Sequence, residues 1–171
     1  VTDPRPDTDP ELDPTRFRQA MGRLVQGVSV LTTRHEGHDH AMTADTVTSV
    51  SLDPLLVLAC VENESRWHDA VLECGVWGVS VLAADQRPLS EWFATRGRPL
   101  HGQLDRTPFH RGSRTGVALL DGALTHLEVR TTSTHPAGDH VIVVGEVLGL
   151  GLPDTVGPAL VHYRGRYGSI E

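Results

Sequence analysis

From Met42 to Ser51 the chain reads Met-Thr-Ala-Asp-Thr-Val-Thr-Ser-Val-Ser, then passes through Leu52-Asp53-Pro54 into an unbroken apolar run from Leu55 to Val61. Small hydroxyl side chains recurring along a β-prone segment suit a strand with two unlike faces, and Asp-Pro marks the turn into its apolar neighbour. A core strand rarely carries so many of them, because a buried hydroxyl without a partner costs about 1–3 kcal/mol. The pattern predicts that something polar touches this segment.

The same alternation between short strands and turn signals runs through most of the 171 residues. Val28 to Thr33 reads as a strand, Arg34 to His40 as a polar hairpin tip, and Ala41 to Ala44 as the returning strand. Val47 to Ser51 and Leu55 to Val61 follow as two more strands. Val76 to Leu82, Ala123 to Thr131, His140 to Leu150 and a short segment around Val161 to Tyr163 complete the β content. Helices are predicted after the Asp13-Pro14 start signal, with apolar positions Phe17, Met21, Leu24 and Val25 and an end at Gly27. Two more are predicted, over Trp67 to Cys74 and over Gln86 to Ala94 with Asp85 as N-cap. Arg96 to Thr115 reads as irregular surface. Many short antiparallel strands with two or three helices argue for a mainly β barrel with flanking helices, not a βαβ array. No Gly-x-Gly-x-x-Gly follows a strand, so a nicotinamide cofactor would not sit in a Rossmann crevice.

Residues 1–13 are rich in Pro and Asp and cannot bury enough surface to offset their ordering entropy, which predicts an extended or disordered arm before one domain over 14–171. A net charge of −7 leaves no basic footprint for nucleic acid or an anionic membrane. Cys60 and Cys74 are too few and too unpatterned for a disulfide framework or a zinc site, and read as reduced core residues. With no apolar run of spanning length and no signal-peptide layout, a cytoplasmic location is expected. His35, His38 and His40 invite a metal reading, but alternate side chains diverge at a hairpin tip and no second ligand cluster completes a shell, so no metal is expected.

A flat heteroaromatic ring carrying carbonyls and ring nitrogens would satisfy the hydroxyl-lined segment. Three further landmarks accompany it: Phe17-Arg18-Gln19-Ala20-Met21-Gly22 ahead of Gly27 to Thr33, Ala41-Met42-Thr43-Ala44, and Gly138-Asp139-His140 opening the apolar strand to Val147. In that order and spacing, from about Arg16 to Tyr167, the chain resembles the flavin reductase family. The resemblance implies a flavin-binding split barrel, a homodimer with cofactor sites at the subunit interface, and hydride transfer from NADH or NADPH to FMN or FAD. It further implies that the reduced flavin passes to a partner monooxygenase.

The resemblance also assigns roles. The backbone and hydroxyl groups of Thr43, Ala44, Asp45, Thr46 and Ser49 would meet the isoalloxazine edge, with Cys60 and Val61 of the next strand beside it. Asp45 stands where the family usually has Asn, and a carboxylate facing the ring would oppose its reduction, so Asp45 is expected to point at a donor instead. Ser65-Arg66 lies between a strand end and a helix start, where free N–H groups favour an anion. There the family's Ser-Arg-Thr meets the flavin phosphate, though Ser65 also reads as an ordinary helix cap followed by a solvated Arg66. Trp67 replaces the small hydroxyl of that triplet, and reads either as a ring stacked on the cofactor or as a helix anchor. His140 is the candidate catalytic residue, orienting nicotinamide and flavin without abstracting a proton; a lone His opening a strand also reads as structural. Phe93, Tyr163 and Arg166 resemble family residues near the cofactor, with plain packing or surface charge as the other reading. Two rival functions stay open: a non-catalytic flavin-binding carrier or interaction module, and a metal enzyme built on the histidine hairpin.

Overall fold

The computed structural model describes residues 12–99, 101–153 and 157–171. Most of the predicted arm lies outside these residues; within them, Leu12 is exposed and Asp13 caps the first helix.

The Asp13 carboxylate accepts from the Thr15 and Arg16 N–H groups, and Pro14 occupies the first turn of α1 (Pro14–Met21). The helix ends at Gly22 instead of running on to Gly27, and its apolar positions bury nothing: Phe17, Met21, Leu24 and Val25 are all exposed. The short β1 (Gln26–Gly27) leads into β2 (Ser29–His35), which turns at Glu36-Gly37 into β3 (His38–Ala44). β4 (Thr48–Leu52) and β5 (Leu55–Glu62) flank Asp53-Pro54 as predicted. α2 (Arg66–Cys74) follows, closed by Gly75 at a positive φ of 70° whose N–H bonds the Val71 carbonyl. After β6 (Val76–Val81) comes a 3-10 turn over Ala84–Gln86, then α3 (Arg87–Ala94). Asp85 therefore sits inside that turn and does not cap a helix; the buried Gln86 side chain accepts from the Ala83 N–H instead.

The segment read as irregular surface holds β7 (Phe109–Arg111) and buries Gln103, Leu104 and Thr107. β8 (Ala118–Leu120) pairs with it. β9 (Thr125–Ala137) and β10 (His140–Gly151) form the longest hairpin, and β11 (Ala159–Tyr163) turns into β12 (Arg166–Ile170).

One sheet of seven antiparallel strands runs β3-β2-β6-β9-β10-β5-β4. Its two edge strands, β3 and β4, are joined by only Asp45, Thr46 and Val47. In a flat sheet they would stand about 29 Å apart at roughly 4.8 Å per strand, whereas four Cα steps reach about 14 Å at most. The sheet must curl until its edges approach, without closing. Gly145, at a register shift between β10 and β9, permits part of that bend, since a Cβ there would clash with the Val129 side chain.

Curling makes an interior. Leu31, Ala44, Val57, Ala59, Val61, Trp67, Trp77, Val79, Val129, Val141 and Val143 fill it. A second cluster, including Val28, Val30, Ala41, Leu82, Phe93, Leu120 and Leu160, lies outside the β2–β3 pair. β2 is thus buried on both faces, and its hydroxyls bond backbone: Thr32 to the Ala118 carbonyl and Thr33 to the Val76 carbonyl. Neither cysteine is a true core residue; both are free and only partly buried. Among the described residues, no helix is long and apolar enough to cross a membrane.

Candidate functional site

α2 begins where β5 runs out. Ser65 is its N-cap, and the Ser65 hydroxyl accepts from the Trp67 N–H at 3.2 Å. The capping reading of Ser65 is therefore realised, and it aims the first turn of α2 into a cleft of about 460 Å³. Thr43, Ser65, Arg66, Trp67, Phe93 and Arg98 are among its walls, with Glu62, Glu64 and Arg96 at the same opening. A cleft of several hundred cubic ångströms is the usual size of a small-ligand site.

The cleft is cationic at one corner. The exposed Arg66 donates through Nη2 to the Arg98 carbonyl at 2.6 Å, with the rest of its planar fork left for an anion. Arg98 is itself bonded to the Ala41 carbonyl at 2.8 Å. Its pKa is lowered, first by burial and then by the Arg66 charge, so an anion beside the two guanidinium groups would relieve their repulsion. Arg96 is neutralised by Glu62 through bonds of 2.8 and 3.0 Å. His40, on the same wall, has its pKa lowered by burial and then by His35 and His38.

β3 supplies the second wall. It is an edge strand, and at Ala41 its outward N–H bonds the Gln103 side chain while its carbonyl takes Arg98. Alternation along an antiparallel strand turns the Thr43 N–H and carbonyl toward the same open edge. The Thr43 hydroxyl donates to the Ser90 carbonyl of α3 at 2.7 Å.

The other residues named from sequence divide. Phe93 is 1% exposed and contacts the cleft from within the outer core. Trp67 is 2% exposed and edge-on to Trp77 at 6.2 Å, so it anchors α2 and does not present a face to a ligand. Ala44 and Val61 are buried in the inner core, while Cys60 points to the outer face of β5. Ser49 is exposed on β4. The Thr46 hydroxyl donates to the Cys60 carbonyl at 3.0 Å and accepts the Cys60 N–H at 3.1 Å. The polar partners expected for the Thr/Ser run are in part the chain's own backbone: Thr43 bonds the Ser90 carbonyl and Thr46 the Cys60 backbone, Ser51 accepts from the Asp53 N–H, and Thr48 and Ser49 face solvent. Of that run, Thr43 alone lines the cleft with Ser65 and Arg66.

The Asp45 carboxylate faces His162, 3.4 Å from Nδ1, an ion pair when the imidazole is protonated. His162 stands against Tyr167 with ring centroids 5.7 Å apart, and the Tyr167 hydroxyl meets the Ser90 hydroxyl at 2.8 Å. Tyr163 and Arg166 are exposed at the β11–β12 turn, away from the cleft walls. His140 opens β10 opposite Glu62 of β5, one strand from the cleft rim. Its Nδ1 is 2.7 Å from the Asp139 carboxylate, and that bond holds the Asp139 pKa below the usual carboxylate range. Of the hairpin histidines, His35 meets Glu73, His38 stands against His101 and His40 lines the cleft, with the His35 and His40 ring centroids 6.5 Å apart. Among the described residues no group of three His, Cys, Asp or Glu is placed to hold a metal ion.

Sequence reasoning missed Ser90, Arg98, Gln103, His162 and Tyr167. A serine three residues before Phe93 on the buried face of α3 was the available signal for Ser90; nothing local distinguishes Arg98 or Gln103 within their loop.

Residues 21–171 match the family model described as a flavin reductase like domain. An NADH-dependent flavin reductase from Rhodococcus sp is 41% identical over 174 residues, covering 100% of this chain and 94% of the relative. The crystal structure of BorF, the flavin reductase component of a bacterial two-component tryptophan halogenase, superposes with a TM-score of 0.87 at 42% identity, covering 92% of this chain and 98% of that one. The NADH:FAD oxidoreductase SgcE6 of Streptomyces globisporus C-1027, solved with NAD and FAD fragments, superposes with a TM-score of 0.87 at 31% identity, covering 95% of each chain.

Proposed function

The chain belongs to the flavin reductase like family, and from that membership we propose that it is an NADH-dependent flavin reductase that hands reduced FMN or FAD to a partner monooxygenase. The observation that carries the site assignment is the meeting of two unlike binding elements in one cleft: the first turn of α2 with Arg66, and the open edge of β3 at Thr43. The residues fit a flavin nucleotide. An anion at a helix N-terminus beside a guanidinium fork accounts for the phosphate, and outward backbone groups on a sheet edge account for the carbonyls and ring nitrogens of a flat ring.

Bound there, the flavin supplies a two-electron acceptor for the hydride that leaves NADH with its bonding pair. The chain's own part is placement. Arg66 and the α2 N–H groups hold the phosphate, and Thr43 registers the ring edge. Val61, Ala44 and Phe93 back this wall with apolar side chains. His140 orients the nicotinamide: with Nδ1–H donated to Asp139, its other ring nitrogen is free to bond the donor. Hydride transfer needs no general base, so His140 acts by position. Asp45, facing His162, keeps its carboxylate off the ring.

We also place a second copy of the chain against the outer face of β5 and β10. Leu58, Cys60, Ile142 and Val144 lie side by side there, and Leu52 beyond them is 84% exposed. The unpaired edge of β4 supports the same reading. Light scattering on the eluting protein tests it, and a monomer at all concentrations would reject it.

The activity is tested by following NADH absorbance under air with FMN, FAD or no flavin. The expected result is NADH loss that depends on added flavin; equal rates with and without flavin would reject the assignment.

A further inference from the structure

Arg98 belongs to no part of the chain that sequence or family resemblance marks, yet the cleft is organised around it. Its guanidinium reaches the Ala41 carbonyl on β3 and the Trp92 and Thr95 carbonyls at the end of α3. It lies 5.9 Å from the Phe93 ring centroid. Its backbone carbonyl accepts Arg66 Nη2 at 2.6 Å. Gln103 grips the same residue of β3 from the other side, its side-chain oxygen accepting the Ala41 N–H at 3.2 Å. Together Arg98 and Gln103 stand in for the strand that the β3 edge lacks.

We propose that Arg98 is a positioning residue for phosphate recognition: its side chain ties the β3 edge to the end of α3, and its carbonyl, set by that tie, holds the Arg66 guanidinium beside the first turn of α2. This rests on the reading of the cleft as the flavin site. A planar five-donor fork is what the task needs, since it bonds carbonyls on two elements at once while its charge lies near the C-terminal end of a helix. Lysine carries the charge but not the fork. Among the described residues the Arg98 carbonyl is the acceptor that orients the Arg66 guanidinium, so loosening Arg98 lets the Arg66 side chain swing into solvent.

The test compares FMN with riboflavin, which differs by lacking the phosphate. Steady-state kcat/KM for both is measured for wild type, Arg66→Ala, Arg98→Lys and the double variant, each checked for a cooperative thermal melt. Arg66→Ala is expected to lower the preference for FMN about tenfold, the scale of one charge-assisted phosphate contact. Arg98→Lys should lower it several-fold through the KM for FMN with kcat held, and the double variant should fall no further than Arg66→Ala alone. If Arg98→Lys does not melt cooperatively, Arg98→Gln is judged by the same criterion. An unchanged preference in the Arg98 variant while Arg66→Ala lowers it overturns the positioning role and leaves the flavin site standing. A double variant that loses the product of the two single effects also overturns it, because Arg98 would then act on the phosphate directly. No change in Arg66→Ala overturns the phosphate corner and the inference with it.

Discussion

Thr46 and Cys60 exchange two hydrogen bonds, side chain to backbone, so that one hydroxyl serves the β5 backbone as a neighbouring strand would. The link between the two sheet edges is pinned by this exchange, and with it the distance from Thr43 on one edge to Ser65 beyond the end of β5. Replacing Thr46 by Val keeps the shape and removes both bonds, leaving a partly buried N–H and carbonyl without partners. Thr46→Val is expected to destabilise by about 1–3 kcal/mol and Thr46→Ser by less. Urea unfolding of the two variants checks this; a destabilised Thr46→Ser beside an unaffected Thr46→Val would show that packing of the methyl group, not the hydroxyl, is what matters.

Ser65 has two duties, capping α2 and bordering the cleft. Ser65→Ala removes the bond to the Trp67 N–H and should cost about 1 kcal/mol, the ordinary value of an N-cap. Because the same turn borders the cleft proposed for the flavin phosphate, the KM for FMN should rise as well. A denaturant titration and a flavin titration on one preparation separate the two effects, and a stability loss without any change in flavin binding would confine Ser65 to capping.

Trp67 is a core anchor, edge-on to Trp77. Trp67→Ala should destabilise by about 3–5 kcal/mol. Trp67→Phe, which retains an apolar ring, should cost less and leave the KM for FMN within about twofold. A large KM increase in a well-folded Trp67→Phe protein would mean that the indole touches the ligand.

How much of this was legible in the sequence follows from how local each cause is. Asp13-Pro14 and Ser65 announce their helices because a cap acts on its own first turn. β5 was readable because it is apolar from Leu55 to Val61, although which side chains point inward is set by the curl of the sheet. β8 and β12 were missed: Ala118–Leu120 is three residues long, and Arg166–Ile170 alternates without a buried large side chain. The strand content of the hydroxyl run was legible, but the partners of its hydroxyls were not. Its partners, Ser90 for Thr43 and Cys60 for Thr46, lie 47 and 14 residues away, and no local pattern announces them. Arg98 was hidden for the same reason, in a loop whose composition reads as solvent-facing.

His40 makes stability depend on pH in a definite direction. Its folded pKa is lowered by burial and by His35 and His38, with Arg66 adding to the effect and Asp39 opposing it. Above the unfolded value of about 6.5 the ring is neutral in both states and contributes no pH dependence. As pH falls below about 6.5 the unfolded chain takes up a proton that the folded protein resists, so stability declines until the folded pKa is passed. Unfolding in urea above and below about pH 6.5 should show this loss in wild type and a smaller one in His40→Gln. An identical pH dependence in both proteins would assign the effect elsewhere.

The central claim is that Arg66 and the first turn of α2 hold the phosphate of a flavin whose ring runs along the β3 edge at Thr43. A crystal structure of the protein soaked with FMN tests it most directly. The account predicts the phosphate within hydrogen-bond distance of the Arg66 guanidinium and the α2 N–H groups, with the ring edge at the Thr43 backbone. A phosphate bound elsewhere, with Arg66 making no contact to it, would contradict it.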